Sequence, residues 1–225
     1  MRPSLRTPVV LLLVVALAGG LALGAAARGK GFRDDFTTFD TSRWVVSSRP
    51  FGYGAVDPAN VAVVSGQLGI KLPGSRLDGG EVRTRTLYGF GTYSARIRLA
   101  DAPSSLTAFF LYRAPDYQQE IDIELYNDSS RRVMLSTYSG GAQTNTKTLL
   151  LPFDATADYH QYAIDYRSGS VQFLVDGVAL QTWTTGVPRS TMNVFLNAWF
   201  PSWLAGQAPP TDRFTYVDWV DVAPR

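Results

Sequence analysis

The sequence predicts an all-β fold of two packed antiparallel sheets or a barrel, on three observations. Short β-branched and aromatic runs recur at intervals of roughly ten residues, Gly, Pro and Asp-Gly punctuate them, and no long segment carries a helical period. The 28 Phe, Trp and Tyr residues, none of them in the first 27 positions, add sheet-forming bulk and more aromatic surface than a core needs.

The elements follow from the pattern in order. Val61 to Val64, Leu68 to Leu72 and Glu81 to Thr84 read as strands. Thr92 to Leu99 alternates strictly, placing Tyr93, Ala95, Ile97 and Leu99 on one face and Thr92, Ser94, Arg96 and Arg98 on the other, as a half-buried antiparallel strand does. Ala108 to Tyr112, Glu120 to Tyr126 and Arg132 to Tyr138 follow. Tyr162 to Tyr166 and Val171 to Val175 flank Arg167-Ser168-Gly169-Ser170, and Val178 to Thr182 follows Asp176-Gly177, which makes two successive hairpins. Met192 to Ala198 and Phe214 to Val222 complete the set.

Composition narrows the function. Arg2 and Arg6 precede an uncharged stretch from Val9 to Ala27 that ends in Ala25-Ala26-Ala27, the pattern of a secretory signal with a small-residue cleavage site. Its 19 residues also suffice for an N-terminal membrane anchor. Residues 1–27 are therefore expected to be a signal or anchor and residues 28–225 one exported domain, a monomer with no stable membrane association once the signal is cleaved. Without Arg2 and Arg6 the formal charge of +2 becomes 0, which offers nothing to nucleic acid or to an anionic membrane. The absence of cysteine excludes disulfides, and a single histidine, His160, excludes a histidine triad or a multi-histidine zinc site. A structural role in the sheet is expected of His160.

Chemistry concentrates in Glu120-Ile121-Asp122-Ile123-Glu124. In an extended strand Glu120, Asp122 and Glu124 share one face while the isoleucines enter the other. Partial burial and mutual repulsion would raise at least one pKa and leave a protonated acid beside an ionised carboxylate, the pair that glycoside hydrolysis uses. An acidic face also serves to keep an edge strand soluble. Two observations favour chemistry: no Lys or Arg lies between Tyr117 and Ser130, and other strands carry Glu81-Val82-Arg83, Phe109-Phe110-Leu111-Tyr112 and Asn197-Ala198-Trp199. On a flat strand the Cα atoms of Glu120 and Glu124 would be about 13 Å apart. A retaining pair needs its carboxyl groups about 5 to 5.5 Å apart, so the sheet must be concave.

The same pentapeptide resembles the signature of glycoside hydrolase family 16, in the uninterrupted-strand form of bacterial lichenases and plant xyloglucan endotransglycosylases. The resemblance extends to Leu87-Tyr88-Gly89-Phe90-Gly91-Thr92-Tyr93, to Tyr159-His160-Gln161-Tyr162-Ala163-Ile164-Asp165-Tyr166, to Val175-Asp176-Gly177 and to Asp218-Trp219-Val220, in the family's order. It implies a β-jelly-roll sandwich of two curved antiparallel sheets, concanavalin A-like. It also implies retaining endo-hydrolysis of a β-1,3/1,4-linked polysaccharide, a β-glucan first, with no cofactor for the chemistry. Glu120 would be the nucleophile, Glu124 the general acid/base and Asp122 the helper between them. Glu81, Arg83, Phe110, Tyr112, Tyr138, Asn197 and Trp199 match its sugar-contacting positions. Asp35, the Gly66 carbonyl and Asp218 align with a structural calcium site on the convex side of several relatives. Lichenases carry Trp-Asp before the first glutamate where this chain has Gln118-Gln119, which leaves Tyr117 to supply any stacking there. A transglycosylase on the same site, or a non-catalytic carbohydrate-binding jelly roll, would share most of these residues.

Overall fold

A computed structural model describes residues 30–225. The expected signal or anchor lies outside the described residues, and among these no helix is long and apolar enough to cross a membrane. The described residues form seventeen strands, fifteen of which build a two-layer jelly roll. The strands are β1 (Phe32–Asp34), β2 (Trp44–Val46), β3 (Arg49–Phe51), β4 (Gly54–Val56), β5 (Val61–Val64), β6 (Gln67–Leu72), β7 (Gly80–Thr84), β8 (Gly91–Arg98) and β9 (Leu106–Arg113). There follow β10 (Gln119–Tyr126), β11 (Arg132–Ser139), β12 (Ala142–Leu150), β13 (His160–Arg167), β14 (Ser170–Val175), β15 (Val178–Trp183), β16 (Asn193–Trp199) and β17 (Arg213–Pro224). One sheet runs β15-β14-β13-β8-β17-β6-β5 with β1 beside β17, the other β12-β11-β10-β9-β16-β7-β2, and β3 and β4 form a separate hairpin.

All twelve expected strands are present, and the face assignments hold. In β8, Tyr93, Ala95 and Ile97 are fully buried, and Leu99 just beyond the strand is nearly so. Both expected hairpins close, the second on Asp176 and Gly177, whose φ values of 48° and 78° give the doubly left-handed turn that matches strand twist. His160 packs in the sheet as expected, with Nδ1 2.7 Å from Asp176 Oδ2 and its ring stacked on Phe153.

The register of β10 is fixed by its apolar half. Ile121, Ile123 and Leu125 are fully buried between the sheets, each contributing about 1.5–3 kcal/mol. A one-residue slip would drive three carboxylates into that core, so the apolar face holds the acidic face outward.

Five strands were not anticipated: β1 to β4 and β12. The first four are three residues each, too short to show a period. β12 is an edge strand exposed along nearly its whole length, with Gln143, Thr144, Asn145, Thr146, Lys147 and Thr148 polar on both faces. Gly140-Gly141, both at positive φ, was the usable hairpin signal ahead of it.

Candidate active site

Pairing across the second sheet arranges its outward side chains in three rows. Tyr138, Glu120 and Tyr112 form the first; Ser136, Asp122, Phe110, Phe195 and Arg83 the second; Met134, Glu124, Ala108, Asn197 and Glu81 the third. A cleft of about 920 Å³ lies over these rows and is lined by all ten residues expected to carry chemistry or sugar contacts. The sequence separates them by up to 118 positions, from Glu81 to Trp199, and the antiparallel order β10-β9-β16-β7 brings them together.

The carboxylate floor is strongly perturbed. Burial pushes Glu120 up to about 7, assisted by repulsion from Glu124 and Asp116 and opposed by a hydrogen bond with Asp122. Burial alone pushes Glu124 up to about 7. Asp122, 5% exposed, is raised well above the usual carboxylate range, first by burial, then by the charges of Glu120 and Glu124 and its hydrogen bond to Glu120. Asp122 therefore holds its proton and donates it to Glu120, which leaves one negative charge where a nucleophile needs it. Glu124 thus repels Glu120 across the four-residue step between them.

This arrangement costs stability, with a definite sign. A carboxyl whose folded pKa is about 7 against an ordinary 4.5 stabilises the fold below pH 4.5 and loses that contribution as pH rises through 7. Glu124→Gln is accordingly expected to raise Tm by several degrees at pH 8 and to leave it nearly unchanged at pH 4.5, as calorimetry at the two pH values will show.

Aromatic rings frame the carboxylates. Tyr112 and Tyr138 flank Glu120, and both phenols are pushed up, by burial first and then by the surrounding acids, so they remain neutral hydrogen-bond donors. Tyr112 donates to Asp116 and Tyr138 accepts from Gln143 Nε2 at 2.9 Å. Phe110 and Phe195 stack at 4.8 Å beneath the cleft. Tyr117, 54% exposed and at φ 65°, tilts against Tyr138 at 5.4 Å and lines the cleft just ahead of Glu120. Backbone bonds from Gly141 N to Tyr117 O and from Gly140 N to Gln118 O hold that left-handed residue in place.

Glu81 stands in a different environment from the one expected of a sugar contact. Glu81 is fully buried, and its oxygens already accept two bonds from Arg49 Nη2, at 3.0 and 2.9 Å, and one from Asn197 Nδ2 at 3.1 Å. It lines the wall with no oxygen exposed, and its partner is Arg49, with Arg83 left to face the cleft. Sequence reasoning missed Arg49, Phe51, Phe195 and Trp203; Phe51 stacks on Trp199 at 4.0 Å, and Trp203 meets Trp199 edge-on at 5.2 Å.

The expected calcium positions do converge. Gly66 turns between β5 and β6, Leu68 pairs with Val217, and Asp34 pairs with Val220, which brings Asp35, Gly66 and Asp218 beside the same stretch of β17. Their carboxylates are already met, Asp218 by Arg96 at 2.7 Å and Asp35 by Arg33 at 2.8 Å. A calcium ion at this place would have to compete with Arg96 and Arg33 for the two carboxylates.

A jelly roll whose cleft floor carries a buried acid pair titrating near neutrality has the architecture of a glycoside hydrolase. The sequence pattern of the glycosyl hydrolases family 16 matches residues 52–221, and the chain belongs to that family. A beta-glucanase of Bacillus subtilis (strain 168) is 29% identical over 234 residues, covering 94% of this chain and 96% of that protein. A beta-glucanase of Paenibacillus polymyxa is 31% identical over 153 residues, which span 65% of this chain and 64% of that protein, just under two thirds of its length. The solved structure of the Bacillus licheniformis beta-glucanase superposes with a TM-score of 0.79 at 28% identity, over 88% of this chain and 99% of that one.

Proposed function

We propose that this glycoside hydrolase is an exported, retaining endo-β-glucanase that works by double displacement, and one observation carries the reading. Glu120 and Glu124 share one face of β10 in the cleft, both pushed up to about 7, with a protonated Asp122 between them. In the first step ionised Glu120 attacks the anomeric carbon while Glu124 gives its proton to the departing glycosidic oxygen. The bond from anomeric carbon to leaving oxygen breaks and an ester to Glu120 forms. Once Glu120 is a neutral ester, the repulsion that Glu124 would meet as an anion is gone, so Glu124 is ready to take a proton from water. That water displaces Glu120 and restores the original anomeric configuration.

The relatives named beta-glucanase support a glucan, and the Tyr117–Tyr138 pair supports a stacking wall where the lichenase tryptophan is absent. A cleft that extends from Tyr117 to Trp203 supports binding within a chain rather than at its end. The apolar stretch from Val9 to Ala27 supports export. No cofactor enters the steps. The Arg96–Asp218 and Arg33–Asp35 pairs support ion pairing in place of calcium at the end of the convex sheet. Calcium or a chelator is therefore expected to move Tm by less than about 2 °C, under ~1 kcal/mol for a domain of this size.

Incubation with a panel of mixed-linkage β-glucan, β-1,3-glucan, galactan and xyloglucan, read by reducing-end release, tests the reading. Release from a β-glucan with a ladder of internal-cut products is expected. No release from any of them would overturn it.

A further inference from the structure

The wall of the cleft beyond Phe195 holds a cation that the catalytic steps do not use. Arg49 sits on β3, in a hairpin whose tip, Gly52, adopts φ +63° with its Cα so close to the Phe200 carbonyl that a Cβ would stand 2.1 Å away. Tyr53 N bonds that same carbonyl at 2.9 Å, which pins the hairpin against β16. The pinning has two results. Phe51 lies flat on Trp199, and the Arg49 guanidinium lies 4.1 Å over Phe51. One of its nitrogens, Nη2, is spent on Glu81; among the described residues its Nε and Nη1 carry no hydrogen bond, and the side chain is 42% exposed at the cleft.

Glu81 bonds Asn197 as well. The donation from Asn197 Nδ2 fixes which way that amide faces and leaves Oδ1 buried and without a donor among the described residues, in a side chain only 1% exposed. A buried carbonyl oxygen left unpaired is costly. Arg49, Glu81 and Asn197 are thus one relay, with free guanidinium donors exposed at one end and a buried unpaired acceptor at the other.

We infer that Arg49 is the specificity-determining donor of this arm of the cleft. Its guanidinium donates to hydroxyls of a pyranose ring beyond the one at the cleaved bond, and Glu81 is its buried anchor rather than a sugar contact. Three strand spacings of about 4.8 Å separate β10 from β7, so the arm engages the substrate roughly 14 Å from the carboxylates. Phe51, itself stacked on Trp199, supports the guanidinium at the cleft, and a forked donor of this kind bonds two adjacent hydroxyls.

The inference rests on the endo-glucanase reading, and the experiment separates the two. Steady-state kinetics of the full chain are compared for wild type, R49A, R49K, E81Q and R49A/E81Q on the β-glucan that wild type cleaves and on a short aryl β-glycoside of the same sugar. R49A is expected to raise KM for the polysaccharide about tenfold or more, the scale of one charge-assisted hydrogen bond. The loss on the short glycoside, which does not reach the arm, is smaller, and the pH profile keeps its position. R49K recovers part of the loss. Because Glu81 acts through Arg49 and Asn197, R49A/E81Q is no weaker than E81Q. Folded R49A with KM within twofold of wild type overturns the inference, as do R49A and E81Q losses that multiply. If R49A does not fold, R49K decides: a severalfold rise in KM supports the role, an unchanged KM removes it. Wild type that cleaves no β-glucan would sink the functional reading instead.

Discussion

Glu120→Ala is expected to lower kcat on a β-glucan by about 10^4-fold or more, because it removes the atom that forms the covalent bond. The side chain stands on the outward face of β10 and carries none of the buried apolar area that fixes the strand, so the fold should persist, with Tm at or above the wild-type value at pH 8. The vacated space identifies the role. Azide added to the variant would occupy the nucleophile's position and displace the leaving group in one step, yielding a glycosyl azide of inverted configuration. Residual activity within tenfold of wild type would assign the nucleophile elsewhere.

Glu124→Gln is the second large effect, a loss of about 10^2 to 10^4-fold that grows as the leaving group becomes poorer. Its sharper signature is in the pH profile. Wild-type activity should fall on both sides of neutrality: towards acid as Glu120 is protonated, and towards base as Glu124, pushed up to about 7 by burial, loses its proton. The two apparent values belong to the coupled carboxylates together. Glutamine cannot ionise, so the alkaline limb should vanish. Its neutrality also removes one of the repulsions that raise Glu120, so the acid limb should move to lower pH. A variant that keeps the alkaline limb would show that another group supplies the proton.

The carboxylate floor of the cleft was legible because strand periodicity is local. Five consecutive residues state which three point together, and the buried isoleucines between them state which way. The cleft walls were legible only where a strand also carried a polar or aromatic surprise, as Glu81-Val82-Arg83 and Asn197-Ala198-Trp199 do. Arg49 gave no such sign. It lies on the three-residue strand Arg49–Phe51, 32 positions from the carboxylate it holds, and nothing in Arg-Pro-Phe announces that Glu81 will be its partner. The same long-range pairing explains the change in Glu81. Its outward register was correct, yet Arg49 closes over it, an outcome set by the hairpin at Gly52 rather than by the alternation of β7. β12 was missed for a different reason: an edge strand exposed on both faces has no apolar period to read, and only its Gly-Gly turn marked it.

The central claim is that Glu120 and Glu124 act as nucleophile and acid/base in a double displacement. Proton NMR of the reducing-end anomeric signal during the first minutes of β-glucan hydrolysis tests it most directly. Two inversions at one carbon must release the β-anomer first, with the α-anomer appearing only later by mutarotation. An α-anomer present from the first spectrum would mean a single displacement by water, and would contradict the assignment of Glu120 as the nucleophile.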